Sequence, residues 1–218
     1  MKIFLLSLLC TSTFALTAED FTWELKEERE NIKVFSAKVH EQTGIVPIKA
    51  QTILNYSAEK ILTVIADTKR KKEWVPKLLV GKVIEETSEY DRIEYALYDS
   101  PWPFYDRAFI ISTNGIHNKK EKSILIEIKS VEHKDYPLNP DYVRGNTHMG
   151  NVYIRYIGPN KSFFQVTLLT DFKGNIPTWI VNMVQAKWPY KMFANLTKQL
   201  AKKDIVVLEK YKKLKFLD

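Results

Sequence analysis

Between Leu79 and Phe172 the chain is patterned for extended structure almost without interruption. Strand-like runs fall at 79–86, 91–98, 107–114, 123–132, 142–157 and 161–172. Turn formers separate them: Ser88-Glu89, Pro101-Trp102-Pro103, Asn114-Gly115, Pro137 to Pro140, and Gly158-Pro159-Asn160. Connections this short favour antiparallel neighbours, so the pattern predicts a meander. Gly174-Asn175-Ile176-Pro177 stops it, with the proline where a helix N-terminus tolerates one. Helical periodicity then runs from Thr178 to about Lys203, with Trp179, Met183, Ala186, Tyr190, Phe193 and Leu200 on one face. Pro189 inside that run cannot donate to the Gln185 carbonyl, which predicts a bend or hinge. The fold class is α+β, an antiparallel sheet covered by a long C-terminal helix.

Ahead of the sheet, Asp20 to Glu28 reads as a short helix, capped by Asp20 and acidic in its first turns. Ile32–Val39 and Val46–Leu54 alternate and are joined through Thr43-Gly44 as a hairpin. Ser57 caps a helix whose buried side carries Ile61, Leu62, Val64 and Ile65. A basic run, Lys69 to Lys72, leads to Trp74, expected in the core, and to Pro76, which ends the helical stretch. At 218 residues, with no repeat, low-complexity tract or linker, this is one domain.

The first eighteen residues read as an address. Met1-Lys2 supplies a positive start, Ile3 to Leu9 an apolar run too short to span a bilayer, and Thr11 to Ala18 a small, polar cleavage region. Cleavage after Ala15 or Ala18 fits. The organisation expected is a signal peptide at 1–18, a folded domain at 19–203 and a basic tail at 204–218. The mature protein is then soluble and exported, to the periplasm or beyond the cell. Cys10, the single cysteine, offers a lipid anchor as the alternative, although Ser7 and Leu9 fit a lipoprotein motif poorly.

Little in the chain points to catalysis. His40, His117, His133 and His148 have no metal-binding spacing, so no metal or cofactor is expected. No GxSxG, GxGxxG or Walker sequence occurs. His148, between Gly145 and Gly150, reads as a turn or bulge residue. The net charge of +7 is concentrated at the C-terminus, where nine lysines from Lys187 onward face three carboxylates. Val207, Tyr211 and Leu214 recur at helical spacing, so 204–214 can form a basic amphipathic helix. Transient docking on an anionic membrane is one role for it, and a solvated lysine face the other. Nucleic-acid binding is not expected, because the sheet lacks interleaved aromatic and basic residues.

Three blocks together resemble the START (StAR-related lipid transfer) domain family, in the manner of a bacterial-type exported member. They are Trp23-Glu24-Leu25 with Glu30-Asn31-Ile32-Lys33-Val34; Arg70-Lys71-Lys72-Glu73-Trp74 with Tyr95, Pro101-Trp102-Pro103 and Arg107-Ala108-Phe109; and Gly174-Asn175-Ile176-Pro177-Thr178-Trp179. Ala108 departs from the family, which usually carries Asp there. The resemblance implies a helix-grip fold, in which a curved sheet wraps the last helix around a tunnel for one sterol, phospholipid or related lipid. It implies a lipid carrier, expected to be monomeric and without chemistry; the alternative is a hydrolase or cyclase using the same cavity. The family's gate falls between Tyr98 and Arg107, where Trp102 and Phe104 sit between prolines as an apolar lid or as a structural cap. Trp179, Met183 and Phe193 are expected to meet the ligand from the last helix. Glu94 resembles an acidic tunnel residue whose basic partner is replaced here by Thr113. That leaves either a lone buried carboxyl or a solvent-facing one beside Arg92.

Overall fold

The computed structural model describes residues 16–88 and 90–214. Most of the expected leader, including Cys10, lies outside the described residues, as does the end of the tail. The described chain opens with a single 3-10 turn, Ala18–Asp20, closed by Asp20, whose carboxylate accepts from the Thr17 amide at 2.6 Å and the Thr17 hydroxyl at 3.0 Å. Leu16, Ala18 and Phe21 pack on a buried cluster of Ile45, Met149, Leu169 and Val181.

The segment expected as a helix over 20–28 is instead a strand, β1 (Glu24–Arg29), paired with β2 (Ile32–Ser36). The cause is the turn between them. Glu30 and Asn31 both have positive φ, 52° and 64°, the two-residue connection whose twist suits a hairpin. All six β1 residues are exposed, so no apolar alternation marks the strand. Its acidic composition imitates a helix start.

β2 returns through the Gly44 loop to β3 (Ile48–Leu54), as expected. Ser57 accepts from the Lys60 amide and starts α1 (Ala58–Ala66), and a 3-10 segment, Thr68–Glu73, carries the basic run. The meander follows as β4 (Leu78–Glu86), β5 (Arg92–Tyr98), β6 (Arg107–Asn118), β7 (Ser123–Ser130), a two-residue β8 (Val143–Arg144), β9 (Asn146–Gly158) and β10 (Lys161–Asp171). β6 runs through Asn114-Gly115, which was expected to break it. Gly115 pairs with Ile126, and a Cβ there would sit 2.9 Å from that of Tyr90, so the glycine serves close packing inside a strand rather than a turn. His148 is the extra residue of a bulge in β9.

The strand order is β1-β2-β3-β10-β9-β7-β6-β5-β4, antiparallel along this path, with β8 paired to β6 in parallel. β3 and β10 join the N-terminal hairpin to the end of the meander, and the curved sheet stays open. Cross-strand partners share a face. One such row runs Arg92, Thr113, Ile128, Gly150, Leu168, Ile48, and another runs Gly115, Ile126, Val152, Val166, Ala50. Phe164 on this face meets Phe193 of α2 (Thr178–Leu200) edge-on at 5.2 Å, so this is the side the last helix covers. Trp74 lies in the same core, as expected. The opposite face near β5 and β6 carries Tyr95, Ala108 and Ile110 beneath Val131, Tyr136 and Tyr142 of the β7–β8 connection.

The tail is not the amphipathic helix expected over 204–214. Its only helix among the described residues is one turn, α3 (Glu209–Lys212), and Tyr211 and Leu214 are buried in the main core. The Leu208 amide donates to the Thr63 hydroxyl of α1 at 3.1 Å. The apolar side that could have met a membrane is already packed against the domain. Among the described residues no helix is long and apolar enough to cross a membrane.

Candidate functional site

On the α2-facing side of β5, Glu94 is 3% exposed. The sequence left it either lone and buried or solvent-facing beside Arg92; it is buried, with two cations beside it. Lys71, delivered by the 3-10 segment, lies 2.5 Å from one carboxylate oxygen, and Arg92 Nε lies 2.6 Å from the other. Thr113 stands opposite Arg92, not Glu94, whose strand partner is Ile111. Counting along β5 and β6 could not reveal Lys71, because it reaches Glu94 from a different element. Burial alone would raise the Glu94 carboxyl, but Lys71 and then Arg92 outweigh it and hold the group below the usual carboxylate range. Lys71 is pushed down by burial; Glu94 opposes this and Arg92 adds to it.

The remainder of the cluster follows from strand alternation. Arg92, Glu94, Ala96 and Tyr98 point the same way, opposite Thr113, Ile111, Phe109 and Arg107. Thr113 donates to the Arg92 carbonyl, and Arg92 Nη1 donates to the Ala66 carbonyl at 3.0 Å, tying the cluster to the end of α1. The Tyr98 phenol is pushed up to about 12, by burial first and by Glu94 second. Yet Tyr98 is only half-buried by area. Its ring lies on the face of β5 that also carries Glu94. Ile111, Ile126, Ile128 and Leu168, in the middle of the same face, are half-buried too. α2 lies closest to β2, β3 and α1, where Phe193 seals the core, and it stands off from the β5–β7 side.

At one end of this face lie the loop between β5 and β6 and the connection from β10 to α2. Arg107, 1% exposed, ties the two together. Its guanidinium donates to the Phe172 and Lys173 carbonyls at 3.3 and 3.1 Å, to the Tyr105 carbonyl and to the Ser100 hydroxyl. The Phe109 ring behind it lies so close to Gly145 that a Cβ there would fall 2.3 Å from a ring carbon. Trp102 projects from the loop at 92% exposure, while Phe104 is half-buried with the Arg107 guanidinium 6.0 Å from its ring centre.

The last helix presents a different stripe from the one expected. Trp179 and Met183 stand largely in solvent, and Val181, Gln185, Met192, Leu196 and Gln199 take the buried positions with Phe193 and Leu200. The apolar residues of α2 nearly encircle its first half, so periodicity could not rank the stripes; the anchoring of Val181 on Ile45 and of Phe193 on Phe164 sets the rotation. Phe193, at 1% exposure, is core filling. The buried glutamines were missed in the sequence. Gln185 donates to the Thr170 carbonyl at 2.8 Å and leaves its own oxygen without a hydrogen-bond partner. Among the described residues no three His, Cys, Asp or Glu side chains converge as a metal site.

A curved antiparallel sheet gripping a C-terminal helix defines the helix-grip class. The START domain model matches residues 5–202, and the chain belongs to the START domain family. It is 24% identical over 73% of its length to START domain-containing protein 10 of Homo sapiens, covering 55% of that protein. It is 21% identical over 75% of its length to an acetyl-coenzyme A thioesterase of Mus musculus, covering 30% of that one. The crystal structure of human STARD10 superposes with a TM-score of 0.77 at 22% identity, over 83% of this chain and 74% of that one. The chain thus spans about half or less of these curated relatives.

Proposed function

We propose that this protein holds one lipid between the concave face of its sheet and α2, and moves it between membranes without chemical change. The observation that carries this is the half-buried apolar middle of the gripped face, Ile111, Ile126, Ile128 and Leu168, next to the half-buried Tyr98. Side chains of this kind in a well-packed domain would be fully covered; left partly open under a helix, they suit an apolar guest. Each methylene of that guest, once out of water, contributes about 0.8 kcal/mol. Family membership agrees with the reading, since relatives include a StAR-related lipid transfer protein. Entry falls at the end bounded by Trp102 and the exposed Trp179, aromatic side chains that suit a bilayer interface. The outward lysines of α2 and the tail suit brief contact with anionic headgroups.

The thioesterase relative shares under a third of its own length with this chain, and no activity is carried over from it. We propose a monomer, exported by its first residues, with retention through Cys10 as the competing outcome. Native mass spectrometry of the protein from its own host, with extraction of the bound molecule, tests the function. One lipid per chain is expected, and a chain that neither arrives with lipid nor takes one up from vesicles refutes the reading. The intact mass of the same sample reads the leader. A mass starting at Leu16 or Glu19 supports export, a diacylglycerol adduct on Cys10 supports anchoring, and a retained Met1 refutes both.

A further inference from the structure

We propose that the chain is processed between Ala15 and Leu16, and that Leu16 to Trp23 then serves as a strap holding the first turns of α2 on the domain. The inference rests on the export reading above and goes beyond it by choosing between the two cuts the sequence allows.

The choice turns on what each cut discards. A cut after Ala18 removes Leu16, Thr17 and Ala18, and all three are engaged. Leu16 and Ala18 pack, with Phe21, on the cluster of Ile45, Met149, Leu169 and Val181. The Thr17 amide and hydroxyl donate to the Asp20 carboxylate, and the Thr17 carbonyl accepts from the Asp20 amide at 3.3 Å. The Ala18 carbonyl accepts from the Trp23 indole at 2.9 Å. Losing these residues would uncover an apolar cluster and undo the turn that starts at Thr17. A cut after Ala15 keeps all of these contacts. It also leaves small residues, Thr13 and Ala15, at the two positions where an export peptidase requires them. The later cut would put the bulky Leu16 at the first of those positions.

Hydrolysis of the Ala15–Leu16 peptide bond by an export-linked peptidase consumes one water. Its oxygen ends on Ala15, which departs with the leader as a carboxylate, and the Leu16 nitrogen becomes an ammonium. That cation stands one residue from the Thr17 amide that already donates to Asp20, so opposite charges meet there.

The strap joins separate parts of the domain. Its cluster draws Ile45 from the loop before β3, Met149 from β9, Leu169 from β10 and Val181 from the first turn of α2. Phe21 also meets the Trp23 ring at 5.7 Å and His40 at 6.4 Å, and Lys49 of β3 lies 4.7 Å over Trp23. Next to Val181, Asn182 accepts from the Val46 amide at 3.1 Å, so this end of α2 rests on the same loop the strap covers.

The test reads intact masses of denatured protein from the native host, so that folding does not enter, for wild type, Ala15→Tyr and Ala18→Tyr. Wild type is expected to start at Leu16, Ala15→Tyr to accumulate uncut, and Ala18→Tyr to be cut as wild type is. A start at Glu19, or a block by Ala18→Tyr alone, overturns the site and leaves export standing. A diacylglycerol adduct on Cys10 does the same. A retained Met1 in all three overturns the export reading itself. The strap is read separately, in the exported protein, by comparing Leu16→Ser with wild type. Hydrogen exchange across 178–186 is expected to rise about 5-fold while 192–200 holds, with a melting temperature lower by about 2–6 °C. Unchanged exchange across 178–186 overturns the strap.

Discussion

Replacing Glu94 by glutamine separates the structural from the electrostatic content of the cluster. The amide preserves shape, but it removes the one carboxylate that, among the described residues, pairs with Lys71 and Arg92, both largely buried. Breaking a buried ion pair by removing one partner costs about 3–5 kcal/mol, because the remaining charge is stranded. Here two cations are stranded 2.5 and 2.6 Å from the former carboxylate, which places the loss toward the upper half of that range. For a domain of this length the melting temperature falls by roughly 2–4 °C per kcal/mol, so a drop of roughly 8–20 °C is expected. Urea unfolding at pH 7 followed by tryptophan fluorescence gives the free-energy change, with an unchanged m-value as the check that both proteins unfold as one unit. Adding Lys71→Met to Glu94→Gln returns the cluster to its native net charge and should recover at least half of the loss, a coupling that a double-mutant cycle reads directly. A Glu94→Gln protein within about 1 kcal/mol of wild type would refute the reasoning, since it would mean that the cluster is hydrated.

Trp102→Ala combined with Phe104→Ala should slow lipid transfer between vesicles severalfold, and Trp102→Ala alone should change stability by no more than about 0.5 kcal/mol; equal transfer rates would make the loop a cap only. Glu73 is held near a pKa of about 2 by Arg70, Lys202 and Gln199, well below its ordinary 4.5. A depressed carboxyl stabilises the fold above its unfolded value and loses that contribution as pH falls from 4.5 toward 2, so thermal melts of Glu73→Gln should show a shallower acid limb than wild type. Gly145→Ala pushes a methyl into the Phe109 ring and should destabilise by about 1–3 kcal/mol in denaturant unfolding. Phe109→Leu in the same chain should relieve part of that loss, and its absence would locate the strain elsewhere.

The succession of strands along the meander, the capped helix at Ser57, the Gly44 hairpin and the closing helix from Thr178 were all legible in the sequence. Each is a local matter, settled by alternation, turn residues and caps within a few positions. So was the loop holding Trp102 and Phe104, because aromatic residues between prolines are conspicuous in any setting. Where local and long-range preferences disagreed, the tertiary structure decided. Glu24 to Arg29 has a helix-like composition but is recruited as an edge strand, since the Glu30-Asn31 turn lays it along β2. Val207, Tyr211 and Leu214 have a membrane-helix spacing, but an open core position beside α1 takes Tyr211 and Leu214 first. Glu94 could be found in the sequence, whereas Lys71, 23 residues away, could not be assigned to it. Which face of α2 turns inward, exposing Trp179 and Met183, was equally hidden. Rotation of an apolar helix and pairing of distant charges depend on which surfaces meet in space. A linear pattern carries the period of an element but not its orientation against another.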